Sequence, residues 1–252
     1  PTPQGTTNEI WKSTDGVTFV LFSTVAGNVA TKTDVTVMGA NTTHYYKVRT
    51  CNGADCSAFS AVRSITTGIN KAGQADTSLS YPTLVQCVST AGPNNGNLFF
   101  NGMPNLASFS APLLRNVGAE FDLSGNTVLT SVTLSAIKNV GQDNAGNFLF
   151  DSCSALPSLN LATLERVGAG GGNFRISDCP VLTSLMLTNL IDVSGDFNFD
   201  LTTALTSISC PALTGIAEAL SFSSSGVSTA SFPILATIGT SFNCSNCGSL
   251  TT

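Results

Sequence analysis

The residues of this chain best suited to chemistry are its eight cysteines and its single histidine. Cys51 and Cys56 flank the short loop "NGAD", and strands on either side of such a loop place two thiols opposite each other, so the spacing predicts a cross-strand disulfide. The other six cysteines fall on positions of a repeating apolar pattern, where cysteine packs as a small buried hydrophobe. We therefore predict core positions for Cys87, Cys153, Cys179, Cys210, Cys244 and Cys247.

Two of these cysteine pairs admit a second interpretation. Cys244 and Cys247 have the C-x-x-C spacing of a redox or zinc half-site, although no second pair and no histidine lies near them in the sequence. Cys153 and Cys179 share one position of the repeat, so their thiols could oxidise if the repeats stack. The core interpretation is the one that we favour.

A catalytic triad or dyad of the histidine type would require His44, because it is the only histidine. It lies in a strand-like segment outside the repeats, and we predict a packed strand residue. The glycine-rich "GAGGGN" at 168–173 is not followed by a helix, so it is not a phosphate-binding loop. The sequence therefore predicts a protein that is not an enzyme and that has no cofactor or bound metal.

The acidic residues offer one candidate cluster. Asp196, Asn198 and Asp200 alternate with two phenylalanines in "DFNFD", so their side chains share the outer face of a predicted strand. Hard oxygen ligands that converge in this way could hold a calcium ion. A solvated strand face produces the same pattern, and we favour it.

Composition narrows the classes of protein to consider. Charged residues are only 10% of the 252 residues, against about 25% in an ordinary soluble domain. The net charge of −5 is spread along the chain without acidic or basic runs, which argues against a nucleic-acid partner or an anionic membrane surface. No apolar run approaches the roughly 18 residues of a membrane span. This composition is typical of a β-rich extracellular or virion scaffold.

Residues 1–67 alternate between apolar and polar letters with the period of β-strands. "EIWKSTDGVTFVLFSTVAG" predicts two strands around an Asp15-Gly16 turn, and two more flank "CNGADCS". The stretch "HYYKVRTCNGADCSAFSAV" resembles the last hairpin of a fibronectin type III domain. The resemblance implies a partial sandwich whose first two strands are missing, so that a longer chain or another segment completes its sheet. Residues 68–77 are predicted to be a linker.

From residue 78 onward, apolar positions recur every 22 to 27 residues. Lines such as "FDLSGNTVLTSVTLSAIKNVG" and "FLFDSCSALPSLNLATLERVG" place apolar pairs two residues apart, which is the period of strands. A repeat of this length predicts one coil of a solenoid, since a single coil cannot bury its own apolar edge. The first apolar position of successive coils is occupied by Leu98, Phe121, Phe148, Phe174, Phe197, Leu220 and Phe242.

These lines resemble leucine-rich-repeat-type solenoids, most nearly the receptor L-domain and microbial surface proteins with "LTSL…L…VGG" lines. The resemblance covers residues 78–252 and implies a right-handed β-solenoid of about seven coils. The fold class predicted for the chain is therefore all-β, a partial fibronectin type III sandwich followed by a β-solenoid. Because the last line stops at "FNCSNCGSLTT", we expect the solenoid to be truncated at its C-terminal end.

Small hydroxyl residues occupy two neighbouring outward positions of one predicted strand in successive coils. Such columns on a flat β-face could bind a repetitive partner such as a glycan or ice. They also suit a tightly stacked strand whose hydroxyls bond along the ladder, which is the alternative that we favour. The candidate ligand face comprises Ser108, Ser131, Ser158, Ser184, Ser207 and Thr229 in one column and Ser110, Thr133, Ser209 and Ser231 in the other, which Asn160 and Met186 interrupt.

The sequence thus predicts a non-enzymatic, extracellular structural or adhesive module of a microbial surface protein, acting as a stiff spacer and binding-display surface. Expected partners are other modules of the same longer chain or assembly, and glycans or a host surface, but not nucleic acid. Direct insertion into a membrane is not expected. Three alternatives stay open: a phage fibre or virion decoration protein, a subunit of an extracellular filament, and a carbohydrate- or ice-binding protein. Binding would use the broad outer face or the loops at 141–147 and 168–173.

Overall fold

A computed structural model describes residues 6–29, 42–66, 68–87, 96–143, 145–247 and 250. Within these ranges every regular element is a β-strand, and none of them contains a helix that could cross a membrane. The structure confirms the all-β prediction: parallel strands of successive coils stack as a β-solenoid of about seven turns.

The first five strands include the three longest of the described residues. They are β1 (Thr6–Ser13), β2 (Val20–Ala26), β3 (Thr43–Asn52), β4 (Asp55–Cys56) and β5 (Arg63–Thr66). The short strands of the coils are β6 (Ile69–Asn70), β7 (Ser78–Ser80), β8 (Leu84–Cys87), β9 (Leu98–Phe99), β10 (Ser108–Ser110), β11 (Asn116–Val117), β12 (Phe121–Asp122), β13 (Ser131–Thr133), β14 (Asn139–Val140), β15 (Phe148–Leu149), β16 (Ser158–Asn160), β17 (Arg166–Val167), β18 (Phe174–Arg175), β19 (Ser184–Met186), β20 (Asp192–Val193), β21 (Phe197–Asn198), β22 (Ser207–Ser209), β23 (Gly215–Ile216), β24 (Leu220–Ser221), β25 (Thr229–Ser231), β26 (Thr237–Ile238) and β27 (Phe242–Asn243).

The coils build three stacks of strands. The first sheet runs in the order β2-β1-β3-β5-β8-β11-β14-β17-β20-β23-β26, with β4 paired to β3, and the second runs β6-β9-β12-β15-β18-β21-β24-β27. The third stack is divided into three short ladders, β7-β10-β13, β16-β19 and β22-β25. Neighbouring parallel strands lie about 4.8 Å apart, so each coil covers the apolar edge of the next.

The inward side chains form one apolar core that runs through the stack. Phe121, Phe148, Phe174 and Phe197 are 0% exposed and pair in register along the second sheet. Their ring centroids follow one another at 5.2, 5.5 and 5.2 Å. Aromatic pairs at such distances contribute roughly 0.5–1.5 kcal/mol beyond the burial of their surface. The predicted alignment of this column is confirmed.

In each coil, one corner residue has a left-handed backbone conformation. It comes two residues after an inward side chain such as Phe100, Leu123 or Phe150. Glycine adopts this conformation without steric cost, whereas a bulky side chain is strained there. The positions are Gly102 and Gly125 in two early coils and Ser152, Asp178, Leu201, Ser224 and Asn246 in later coils, with φ between 51° and 73°. The corner, rather than the residue type, is therefore what the repeat preserves.

The first five strands continue the first sheet of the solenoid. β1 pairs antiparallel with β2 and β3, β3 pairs antiparallel with β5, and β5 pairs parallel with β8. β6 lies within the predicted linker at 68–77 and pairs parallel with β9. Strands β5, β6 and β7 thus occupy the positions of a further coil. The division into domains at 1–67 and 78–252 stays a prediction.

Candidate functional site: a hydroxyl face and its cleft

The structure joins Cys51 and Cys56 as a disulfide between the directly opposed ends of β3 and β4, with their Cα atoms 4.0 Å apart. Glu9 lies beside this pair, but the two thiols are consumed in the disulfide. The Glu9 carboxylate accepts hydrogen bonds from Trp11 Nε1 at 2.9 Å and Arg49 Nε at 2.8 Å. These bonds hold the pKa of Glu9 below its usual value. The group is an ion pair on a strand face and not a set of metal ligands.

The predicted core positions are confirmed for four of the six remaining cysteines. Cys87, Cys153, Cys179 and Cys210 are free thiols with 0% exposure. Burial raises the pKa of Cys210 to about 12, and burial also raises the pKa of Cys87. Such thiols stay protonated at neutral pH and are poor nucleophiles.

The core prediction is wrong for Cys244, and Cys247 packs against the core but is only partly buried. Both are half-buried, and the structure joins them as a disulfide. The left-handed corner at Asn246 turns the chain between them and brings their Cα atoms to 5.3 Å. The C-x-x-C spacing was the available signal for this local pairing, and the core interpretation was preferred to it.

One buried column of the repeat supplies hydrogen-bond donors to backbone carbonyls within the stack. Asn126 is 0% exposed; its Nδ2 donates to Phe100 O at 2.9 Å, and its Oδ1 accepts from Met103 N at 2.8 Å. At the same column, Cys153 Sγ donates to the carbonyl of Leu123 at 3.3 Å and Cys179 Sγ to the carbonyl of Phe150 at 3.0 Å. Hydrogen bonding with Cys179, followed by burial, raises the pKa of Cys153. These residues pin successive coils together.

The other residues singled out in the sequence are engaged within the fold. His44 is a buried residue of β3 with 6% exposure. Asp196 Oδ1 accepts a hydrogen bond from Ala219 N at 3.0 Å in the next coil. Asp200 Oδ1 accepts from Ser221 Oγ at 2.6 Å, and Asn198 Nδ2 donates to Asp200 Oδ2 at 2.9 Å. The acidic strand face thus braces neighbouring coils.

The glycine-rich loop at 168–173 is built for close stacking. Ala169 N donates to Gly141 O of the preceding coil at 3.0 Å. A Cβ on Gly172 would overlap the carbonyl oxygen of Gly146, so only glycine fits between these backbones. In the loop at 141–147, residue 144 lies outside the described residues.

Polar side chains along the second sheet are also hydrogen-bonded within the protein, a feature that the sequence analysis missed. Asn147 Oδ1 accepts from Asn173 N at 2.9 Å, and Asn173 Oδ1 accepts from Asp196 N at 2.7 Å. Asp151 accepts from Arg175 and, at 2.7 Å, from Ser177 Oγ. The contact with Asp151 raises the pKa of the Arg175 guanidinium. The "N" or "D" that precedes Phe148, Phe174 and Phe197 was the available signal.

The ten predicted hydroxyl residues all lie on the strands of the third stack, which we call the hydroxyl face. Ser108, Ser110 and Thr133 are half-buried, and the other seven are exposed. Within the described part of the chain, none of these ten side chains hydrogen-bonds to another protein group. The register adds two members that the sequence analysis missed, because Ser78 pairs with Ser108 and Ser80 with Ser110. Their signal was "SLS" at 78–80.

The hydroxyl face is not one continuous ladder. In an unbroken part, Thr183 N donates to Pro157 O at 2.9 Å. Pro157 itself has no N–H, so it cannot donate in turn to Thr130 of the preceding coil. The ladder bond that would join Leu134 N to Asn160 O is not formed either. These missing bonds coincide with the break between β13 and β16.

A depression of about 310 Å³ opens at this break, and we call it the β13–β16 cleft. Its polar lining is Thr133, Ser135, Asn160 and Thr163, and its apolar lining is Val132, Leu134 and Ala162. Chemically, the cleft can exchange hydrogen bonds with a small polar molecule and contact its carbon atoms.

No protein-family model, curated protein or solved structure matches this chain. The geometry of the chain itself establishes a β-solenoid of about seven turns, and, among the described residues, its third face presents hydroxyl groups without a protein partner.

Proposed function

We propose that the chain is a non-enzymatic structural and adhesive module of a microbial surface protein, a stiff spacer that displays the hydroxyl face to a partner. One observation carries the proposal. The polar groups of the second sheet bond to one another and to neighbouring coils, whereas those of the hydroxyl face are directed to solvent. A surface whose donors and acceptors are free can exchange them with a partner at low desolvation cost.

The spacer role is supported by the continuity of the core. The second sheet has eight strands, and seven intervals of about 4.8 Å give a length of about 34 Å. Phe148 contacts the equivalent rings of Phe121 and Phe174, so bending at its coil would disturb packing in two others. Close-packed interiors resist such deformation.

We propose in addition which kind of fold each of the two parts of the chain has. The antiparallel pairing of β3 with β4 and β5 supports a fibronectin type III-like hairpin at the N-terminal side. The in-register apolar columns support a leucine-rich-type solenoid after it.

Two disulfides support a location outside the cell. Cys51–Cys56 and Cys244–Cys247 are bonded in the structure, and disulfides persist chiefly in oxidising compartments. A virion or phage fibre is exposed to the same conditions, so this alternative shares the support.

The display role is tested by placing charge on the hydroxyl face. A triple variant Ser131→Lys, Ser158→Lys and Ser207→Lys should abolish attachment of the purified chain to host cells or immobilised glycans. The matched control places three lysines on exposed positions near the first sheet, Gln142→Lys, Thr214→Lys and Thr237→Lys.

The two variants carry the same added charge, so a general electrostatic effect would change both equally. Attachment lost only in the hydroxyl-face variant supports the proposal. Equal attachment of wild type and both variants, or equal loss in both, would refute the display role. Small-angle X-ray scattering tests the spacer role separately, because a flexible chain would not give the scattering of a rod.

A further inference from the structure

We infer that the β13–β16 cleft binds a single residue of a neutral glycan. The inference deepens the proposed display role. It rests on that role in one respect, namely that the hydroxyl face is the surface presented to partners. The cleft lies at one of the two breaks in the ladders of this face, where Pro157 cannot donate to the preceding coil. A volume of about 310 Å³ is at the small end of the range for ligand pockets, about 300–1,000 Å³, and suits one sugar ring.

The lining of the cleft selects a neutral ligand. Its seven described residues include no acidic and no basic side chain. An ionic ligand would lose hydration without gaining a partner of opposite charge, which is costly. Phosphate, sulfate and uronic acid groups are therefore disfavoured.

The arrangement of donors and acceptors fits a polyhydroxylated ring. Asn160 Oδ1 accepts from Ala162 N at 3.1 Å, which orients the amide and leaves its Nδ2 donor for a ligand. Thr133 and Leu134, which belong to the coil of β13, also line the cleft and carry a hydroxyl and a backbone N–H. A sugar ring presents hydroxyl groups at its edge and C–H groups on its face, so it matches these polar walls and the apolar contacts of Val132 and Ala162.

The experiment uses the full chain labelled with ¹⁵N and a panel of methyl glycosides of glucose, mannose, galactose and N-acetylglucosamine. At least one glycoside should shift the amide resonances of residues 132–135 and 160–163, with a Kd on the order of 1 mM, as expected for a ligand of this size. Removing one hydrogen bond should weaken binding roughly threefold to tenfold, so Thr133→Val and Asn160→Ala are the test variants.

The matched control is Ser209→Ala, which removes a hydroxyl from the same column of the face on β22, outside the cleft. It should bind the glycoside as the wild type does. Unchanged chemical shifts elsewhere in the two cleft variants show that they fold normally, and Thr133→Val keeps the shape of the side chain.

The inference would be overturned if no glycoside shifted these amide resonances at concentrations well above about 1 mM. It would also be overturned if both cleft variants bound as the wild type does, or if the shifts spread equally over all coils. The proposed function fails by different readouts, namely cell attachment and rod-like scattering. A chain that attaches and scatters as a rod but binds no glycoside would remove this inference alone.

Discussion

The N-terminal strands and the coils of the solenoid differ in how strand length relates to the burial of side chains. β1 and β3 have eight and ten residues, yet Ser13 is the only buried residue of β1. The strands β9 and β12 have two residues each, yet Leu98 and Phe121 are 0% exposed. Strand length is therefore a poor guide to burial here. The coils gain their order from the neighbours above and below, and the N-terminal sheet gains it within its own plane.

The forces differ accordingly. In the N-terminal sheet, Lys47 Nζ lies 4.2 Å from the ring centroid of Phe19 and 4.3 Å from that of Phe59. Arg49 pairs with Glu9 and also lies over the ring of Phe59. The solenoid core instead depends on apolar contact and buried hydrogen bonds. We expect the first region to respond to charge and disulfide reduction, and the second to respond to lost volume.

The largest expected effect is a cavity in the stack. Phe174→Ala should lower the free energy of unfolding by about 3–5 kcal/mol, because Phe174 is 0% exposed and contacts rings in both neighbouring coils. The matched variant Phe59→Ala removes the same ring from a position 36% exposed and should cost about 1 kcal/mol. Urea denaturation followed by circular dichroism measures both, and equal losses would contradict the contrast between the regions.

The buried donor column is expected to matter next. Asn126→Cys replaces the amide by the residue that the chain itself uses at the same column in Cys153 and Cys179. The thiol cannot reproduce all three bonds of the amide, so we expect a loss of about 2 kcal/mol. Asn105→Ala, on an exposed corner, is the control and should change stability by less than about 0.5 kcal/mol. If Asn126→Cys left the free energy of unfolding unchanged, the residues of this column would serve only to fill space.

Removal of the first disulfide should affect one region alone. The double variant Cys51→Ser and Cys56→Ser opens a bridge with a sequence separation of 5, and loop-closure entropy for so short a loop predicts a loss of about 2 kcal/mol. Hydrogen exchange should accelerate in β3 and β4 and stay unchanged in β12, β15 and β18. Acceleration along the whole solenoid would show that the two regions unfold as one unit.

The smallest expected effect is an opposite response to acid. The pKa of Glu9 is lowered by hydrogen bonds from Trp11 and Arg49, so the stability it contributes is present above its ordinary pKa near 4.5 and is lost as the pH falls through the folded value. Burial, followed by the charge of Asp122, raises the pKa of Glu120, so ionised Glu120 destabilises its coil, and that cost is relieved as the pH falls from the folded value toward 4.5.

Hydrogen exchange, corrected for intrinsic rates, should therefore show β1 and β3 weakening on acidification while β12 gains protection. Glu9→Gln and Glu120→Gln are the controls, and each should remove the response of its own region only. The same direction of change in both regions would contradict the assignment of these two carboxyl groups.

The sequence predicted the apolar columns because a buried coil admits few residue types at Phe121, Phe148 and Phe174, so the pattern survives in the letters. It did not predict the hydrogen-bonded column. Asn126 and Cys153 both donate hydrogen bonds there, but one is polar and the other is apolar, so the column has no constant polarity in the sequence. It also left Ser78 and Ser80 out of the hydroxyl columns, although "SLSYPTLVQCV" fits the second half of the repeat. The β13–β16 cleft could not be predicted, since it depends on which ladder bonds between neighbouring coils fail to form.

The glycine-rich corner after β17 has a consequence for how this molecule could diversify. The coils that contain the loops at 141–147 and 168–173 are longer than their neighbours, yet the strands on both sides keep their pairing. At Gly170 and Gly171 an added side chain would meet no atom within 4 Å, but their φ angles of 99° and 123° are ones that only glycine adopts readily. The tip therefore has open space beyond it, and we expect the scaffold to accept added residues there only where both glycines are kept.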